Sequence, residues 1–479
     1  MSDFFSLGFG KTEAELDIPS LPVRGQMPEW LSGTLLRNGP GTFEIGGQHY
    51  RHWFDGLAML HKFSFQNGNV SYANKFLRNR SYAEAKAQGR IAFSEFATDP
   101  CRGLFGRAMA VFRPDITDSA KVSIAQLAGQ VMALAETPIQ VAFDPQTLET
   151  AGVFQYEKNR VGQMTTVHPH LDESRREAYN VVTRYNAVSL YNIHSVSNTG
   201  KMQRIGSVPV TKPAYMHSFG MTQNYFILAE FPLVVNPVHL LLWLKPYIEN
   251  FRWEPRRGTR IWLVHRGSGE VAAQYDAEAF FAFHHVNAFE QGDEVVLDIA
   301  AYEDADIIQS YYLDKIKDSK SELPFGNLRR YRLPLKAGKK RGIKVTYETI
   351  SNVCMELPHF DYANYNLRAD YRYVYSISID EKRRQGFYNQ LVKVDIQTRE
   401  TKTWTEENCY PGEPIFVPKP DRMTEDNGVI LSVVLDAKRG TSFLLVLNAT
   451  TFEEISRAEI PQPVLIGYHG MYLPEKENA

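Results

Sequence analysis

One local pattern constrains this chain more than any other. A short apolar strand runs into a turn of Gly, Asn, Asp, Ser or Thr, and a second strand follows. The pattern occurs around Asn67-Gly68-Asn69, Asp144-Pro145-Gln146 and Asn198-Thr199-Gly200. It returns at Gly267-Ser268-Gly269, Ala337-Gly338-Lys339, Asp395-Ile396-Gln397 and Asn448-Ala449-Thr450. These seven hairpins lie roughly 50 to 80 residues apart, close to the repeat length of propeller blades. Further apolar runs fall between them, such as Tyr225-Phe226-Ile227-Leu228 and Val295-Val296-Leu297. A blade has four strands, so one hairpin plus flanking strands per unit is the expected arithmetic. The reading is an all-β, seven-bladed β-propeller over residues 1–479 as a single domain. A set of β-sandwiches is the alternative, but no linker or composition break divides the 479 residues. Helical patterning is confined to Tyr82–Gly89 and the apolar stretch from Val234 to Phe251.

Charge and cysteine content remove several function classes. With 53 basic and 55 acidic residues, and no basic block, a nucleic-acid partner has no electrostatic support. Cys101, Cys354 and Cys409 are far apart and form no CxxC pair, which fits a reducing, cytoplasmic setting. The N-terminus shows no basic region followed by an apolar run, so no secretory signal is expected. Leu228 to Ile248 is the most lipid-like stretch, yet it holds Glu230 and Pro232, Pro237 and Pro246, which argue against a spanning helix. Gly10-Lys11-Thr12 resembles the end of a phosphate loop, but the earlier glycine would fall at Phe5 and no strand precedes it. No nucleotide cofactor is expected.

The histidines are informative by position. His168 stands in Val-His-Pro-His, His217 in Tyr-Met-His-Ser-Phe-Gly and His284 in Phe-His-His-Val-Asn-Ala. Each precedes a strongly apolar strand by a similar interval, as do Glu356 and Glu413; His469 follows the last hairpin. Equivalent positions of successive blades form a ring, so polar residues entering there converge. Converging imidazoles suit a borderline metal such as iron, copper or zinc. Carboxylates in the same ring can accept the second imidazole N–H. A histidine before a buried strand is also commonly a packed core residue, and the pattern alone leaves both readings open.

Longer words carry a resemblance. They are Gly33-Thr34-Leu35-Leu36-Arg37-Asn38-Gly39-Pro40-Gly41, His52-Trp53-Phe54-Asp55-Gly56, Thr166-Val167-His168-Pro169-His170, His217-Ser218-Phe219-Gly220, Phe283-His284-His285-Val286-Asn287-Ala288, Glu413-Pro414-Ile415-Phe416-Val417 and His469-Gly470. In this order the chain resembles the carotenoid cleavage oxygenases, nearest to their animal-type branch of carotene oxygenases and the retinal-pigment-epithelium isomerase. The resemblance implies one Fe(II) per chain on the propeller axis, held by His168, His217, His284 and His469. It prefers His284 to His285 and excludes His170. Three carboxylates, Glu136, Glu356 and Glu413, would brace His217, His284 and His469, and His168 would have no such partner. Four protein ligands leave positions open on a six-coordinate iron. The implied reaction is O2-dependent cleavage of one C=C bond of a carotenoid or apocarotenoid into two carbonyl products. The alternatives within the family are an iron-dependent retinoid-type isomerohydrolase and a stilbene-cleaving dioxygenase. The stilbene-cleaving members carry a lysine just before the first bracing glutamate, and here that position is Ala135.

A lipophilic polyene needs a hydrophobic tunnel, expected under a helical and loop cap, with Tyr215 and Tyr302 as wall candidates. Two apolar insertions, near 104–112 and 231–251, mix Leu, Trp and Phe with flanking Lys or Arg, as peripheral (monotopic) membrane contact requires. The expected result for Leu241→Glu with Trp243→Glu is an intact fold with weakened co-sedimentation on liposomes. Unchanged co-sedimentation would sink this reading.

Overall fold

A computed structural model describes residues 4–12, 14–99, 117–154, 162–241, 245–318, 320–335 and 341–475. The chain forms a seven-bladed β-propeller. Blade 1 orders Gly470–Pro474, Gly33–Thr42, Leu57–Gln66 and Asn69–Phe76 from first to fourth strand, and blade 2 orders Ser123–Leu127, Gln130–Leu134, Gln140–Phe143 and Thr150–Phe154. Blade 3 holds Glu177–Arg184, Ser189–Ser197 and Met202–Val210, with the short strands Met164–Thr165 and His170–Asp172 sharing its first position. Blade 4 has Gly220–Met221, Tyr225–Glu230, Thr259–His265 and Val271–Ala277; blade 5 has His285–Gln291, Glu294–Ala301, Asn327–Pro334 and Tyr347–Ser351. Blade 6 has Glu356–His359, Tyr373–Ser378, Gln390–Asp395 and Thr401–Trp404; blade 7 has Ile415–Pro418, Gly428–Asp436, Thr441–Asn448 and Glu454–Ile460.

Both chain ends close the ring. Gly470–Pro474 pairs antiparallel with Gly33–Thr42 inside blade 1, while Val23–Gly25 pairs with Glu454–Ile460 at the outer side of blade 7. A hairpin turn recognised in the sequence lies between the third and fourth strands in each of six blades; Ala337-Gly338-Lys339, between the corresponding strands of blade 5, lies outside the described residues. Such tight turns need left-handed backbone, supplied by Asn67 and Gly68 at φ of 49° and 74°.

Middle strands read as unbroken apolar runs because each sheet is covered on both faces by its neighbours. Val295, Val296 and Leu297 are fully buried. Tyr179, Ile193, Phe226, Leu228 and Val264 fill the space between blades 3 and 4, and Phe289, Val296, Val374 and Val392 fill that between blades 5 and 6. Each such side chain contributes about 1.5–3 kcal/mol through burial.

The predicted helix near Tyr82–Gly89 is Arg80–Gln88, whose first turn is capped by Asn79 accepting from the Tyr82 N–H at 2.9 Å. The stretch 234–251 forms no continuous helix. It breaks into the strand Leu233–Val234, the helix Pro237–Leu241 and a turn of 3-10 helix at Ile248–Asn250. Pro237 suits a helix start and Pro246 opposes continuation. Residues 104–112 lie outside the described residues.

Candidate metal centre

Blades 3, 4, 5 and 1 present a histidine at the head of the first strand or in the loop just before it. His168 precedes His170–Asp172, His217 precedes Gly220–Met221, His284 precedes His285–Gln291 and His469 precedes Gly470–Pro474. Glu356 opens the first strand of blade 6, and Glu413 precedes that of blade 7. Glu136 enters differently, on the loop after the second strand of blade 2. In an antiparallel sheet the end of a second strand lies beside the start of the first, so Glu136 reaches the same end of the ring.

The structure brings the four histidines together: one ring nitrogen from each lies within 4.8 Å of the others. The His168 ring centroid is 4.4 Å from that of His469, 5.0 Å from His284 and 5.2 Å from His217. Three imidazoles are held from outside by carboxylates. His217 Nδ1 meets Glu136 Oε1 at 2.7 Å, His284 Nδ1 meets Glu356 Oε2 at 2.6 Å, and His469 Nδ1 meets Glu413 Oε1 at 2.7 Å. No carboxylate contacts His168 among the described residues, and its buried Nε2 has no hydrogen-bond partner.

These contacts assign the tautomers. A carboxylate accepts, so each braced Nδ1 carries the proton and each Nε2 keeps its lone pair. The lone pairs then converge, with His284 Nε2 and His469 Nε2 at 3.2 Å. Burial and neighbouring imidazoles hold His168 and His469 well below the usual histidine range. Burial also lowers His217, against the pull of Glu136. His168, His217 and His469 therefore stay neutral at neutral pH. Buried lone pairs facing one another without a donor are unfavourable, and a divalent cation resolves this. The donor set fits a borderline metal.

His170 and His285 stay outside the cluster. His170 spends both nitrogens, on the Tyr362 hydroxyl and the Phe219 carbonyl, each at 2.9 Å. His285 is adjacent to His284 and points to the other face of the strand, where Nδ1 meets Ser218 Oγ at 2.7 Å.

The words that carry the resemblance also build the surroundings. Arg37 Nη1 donates to Glu413 Oε2 at 2.5 Å, and its Nη2 donates to the Tyr468 carbonyl at 2.8 Å. The Gly470 N–H also donates to Glu413 Oε2, at 2.8 Å. Burial pushes the Glu413 carboxyl up while Arg37 pulls it back. The Asn38 N–H donates to the His469 carbonyl at 2.9 Å. Gly39 is required here because a Cβ would stand 2.5 Å from the Gly467 Cα. Trp53 Nε1 donates to the Ile466 carbonyl at 2.9 Å, and the Phe54 ring lies 6.1 Å from that of His217, nearly parallel. Arg37 had no assigned role in the sequence, since its partner lies 376 residues away.

Tyr215 and Tyr302, expected on a tunnel wall, take other places. Tyr215 donates its hydroxyl to Glu136, and Tyr302 donates to Glu356 Oε1 at 3.0 Å. Neither lines the cavity beside the histidines. A buried phenol needs a hydrogen-bond partner, and the glutamates supply it.

That cavity has a volume of about 210 Å³. It runs along His217, Glu136 and Ala135, past Phe54, Phe96 and Tyr247, to Leu240 and Lys245. A smaller space against His217, His284 and His469 shares Phe54 and Val122 with it. No helix among the described residues is long and apolar enough to cross a membrane.

Residues 9–474 match the sequence profile described as retinal pigment epithelial membrane protein. A carotenoid isomerooxygenase of Galleria mellonella is 34% identical, covering 95% of this chain and 93% of its own. A β,β-carotene 15,15'-dioxygenase of Gallus gallus is 33% identical, covering 95% of both. Among solved structures, a mutant of apocarotenoid oxygenase from Synechocystis superposes with a TM-score of 0.88 at 25% identity over 99% of each chain, and a cobalt-substituted form of the same oxygenase with 0.87. With the profile matched from one end of the propeller to the other, and relatives a third identical across it, the chain belongs to the carotenoid oxygenase family, that of the retinal pigment epithelial membrane protein.

Proposed function

We propose that this chain is a non-haem Fe(II) dioxygenase that cleaves one conjugated C=C bond of a carotenoid or apocarotenoid with O2, giving two carbonyl products. The observation that carries this reading is the four-histidine cluster, with His217, His284 and His469 buried and braced by three glutamates, and with His217 lining an aromatic cavity. Relatives of the chain are named as carotene dioxygenases. His168, His217, His284 and His469 would hold one iron, which supplies activation of O2 when bound. The rest falls to positioning. Glu136, Glu356 and Glu413 hold three imidazoles in the tautomer that offers Nε2, and they offset the cation's charge. Phe54, Phe96 and Tyr247 give the polyene an apolar wall and keep bulk water from the centre. The proposed cleavage calls for no protein nucleophile or general base.

The helix Pro237–Leu241 supports a lipid-facing mouth under a cap. Val238 is 55% exposed while Leu240, on the same short helix, lines the cavity. Ala135 lines the cavity without a charge, so a stilbene phenolate finds no cation at that position.

Labelled O2 tests the reaction. Cleavage products with label in both carbonyl ends, read by mass spectrometry before exchange with water, are expected. An unlabelled alcohol would establish the isomerohydrolase instead.

A further inference from the structure

One charged pair on the cavity wall has no task in the metal centre. Lys121 is 2% exposed and Glu95 6%. Lys121 Nζ donates to Glu95 Oε2 at 2.5 Å and to Ser119 Oγ at 2.9 Å. Glu95 Oε1 accepts from Thr117 Oγ1 at 3.2 Å. Glu95, Thr117, Ser119 and Lys121 all line the cavity that also touches His217. An ammonium has three donors. Two are used, so the third has no acceptor among the described residues. A buried ion pair is commonly no more stable than an apolar pair of the same volume. Packing therefore gives no reason to set one into the wall of a cavity that Phe54, Phe96, Val122, Leu240 and Tyr247 also line.

We propose that Lys121 and Glu95 form a polar subsite that takes an uncharged oxygen function, carbonyl or hydroxyl, at one end of the polyene. The chain then selects apocarotenals and hydroxylated carotenoids over hydrocarbon carotenes. This rests on the polyene-cleaving reading of the same cavity. Charge selects the oxygen function. Lys121 and Glu95 already neutralise each other, so a carboxylate would place a second anion beside Glu95 without compensation. A carbonyl oxygen needs only the spare Lys121 donor. A hydroxyl accepts from Lys121 and donates to a remaining Glu95 lone pair. A hydrocarbon end would desolvate the pair and return nothing, which is how a hydrogen-bonding site rejects an analogue lacking the oxygen.

The test compares the iron-loaded full chain with Lys121→Met and with the double variant Lys121→Met/Glu95→Leu. The double variant leaves no buried orphan charge, and it carries the test if the single variant fails to fold. Binding is measured by fluorescence quenching without O2, and kcat/KM with O2. The ligands are a hydroxylated carotenoid, an apocarotenal, its hydrocarbon counterpart and its carboxylic acid. The wild type is expected to bind both oxygen-bearing ligands about tenfold or more tightly than the hydrocarbon, as a hydrogen bond to a charged donor implies. Lys121→Met loses that preference for the apocarotenal, and the folded double variant loses it for both ligands, to within about twofold with hydrocarbon affinity kept, a selective change that a structural role would not produce. A preference retained against these expectations, absent in the wild type, or strongest for the acid overturns the proposal. Aldehyde bound through Lys121 but never cleaved would sink the cleavage reading alone; cleavage without preference would sink the subsite alone.

Discussion

His217→Ala loses bound iron and turnover together, while His285→Ala keeps both. The contrast separates neighbours that share a residue type and differ in what they face. His217 offers Nε2 to the cluster because Glu136 holds its Nδ1 at 2.7 Å. His285 turns to Ser218 on the other side of its strand. Removing a partner outside the metal shell costs roughly 10- to 100-fold in affinity or activity, and removing a direct ligand exceeds that. Iron is expected to fall from about one per chain to less than a tenth, by metal analysis after reconstitution. Cobalt loading, read as visible absorption, gives the same comparison without turnover. The fold survives, because Tyr215 still donates to Glu136 and the carboxylate keeps a partner. An active, iron-replete His217→Ala would contradict the assignment.

Arg37→Met is the second large effect, and it acts at a distance from the metal. Arg37 and the Glu413 carboxylate are both nearly sealed from solvent, with side chains 7% and 5% exposed. Breaking a buried pair from one side leaves the other charge uncompensated and costs about 3–5 kcal/mol, whereas an exposed pair is worth about 0–1 kcal/mol. Urea unfolding is expected to show the larger loss. Metal affinity falls as well, since Glu413 orients His469. Arg37→Met with Glu413→Gln recovers part of the stability and none of the affinity, because the amide no longer balances the charge of the centre. A stability loss below about 1 kcal/mol would show that the pair is solvated.

The fold was legible because its outer hairpins announce themselves. Third and fourth strands are joined by short exposed turns, and those turns require Gly, Asn or Asp for backbone reasons that are local. First strands leave no such trace. Gly220–Met221 is two residues long, and alternation cannot be read from two residues. First strands and the loops before them carry the four histidines, Glu356 and Glu413, so much of the site lies in the part of each blade that periodicity shows least.

The centre divides the same way. Residue order by itself marked His168, His217 and His284 at matching positions, with Glu356 and Glu413, because blades repeat and repeated positions converge. It could not pair His284 with Glu356 across 72 residues, or Glu413 with Arg37 across 376. Glu136 escaped the pattern because it enters from a second strand. Nearness to His217 in sequence suggests a wall place for Tyr215, but packing sets Tyr215 and Tyr302 against Glu136 and Glu356. Lys121 and Glu95 carried no signal at all, since a lysine and a glutamate 26 residues apart are ordinary surface residues until the fold buries both. Local chemistry thus determined the blades and marked His168, His217 and His284 as candidates, because backbone geometry and repetition are written along the chain, while the resemblance supplied His469. Tertiary structure alone decided that Arg37 meets Glu413 and where charge enters the cavity, because those contacts depend on the ring being closed.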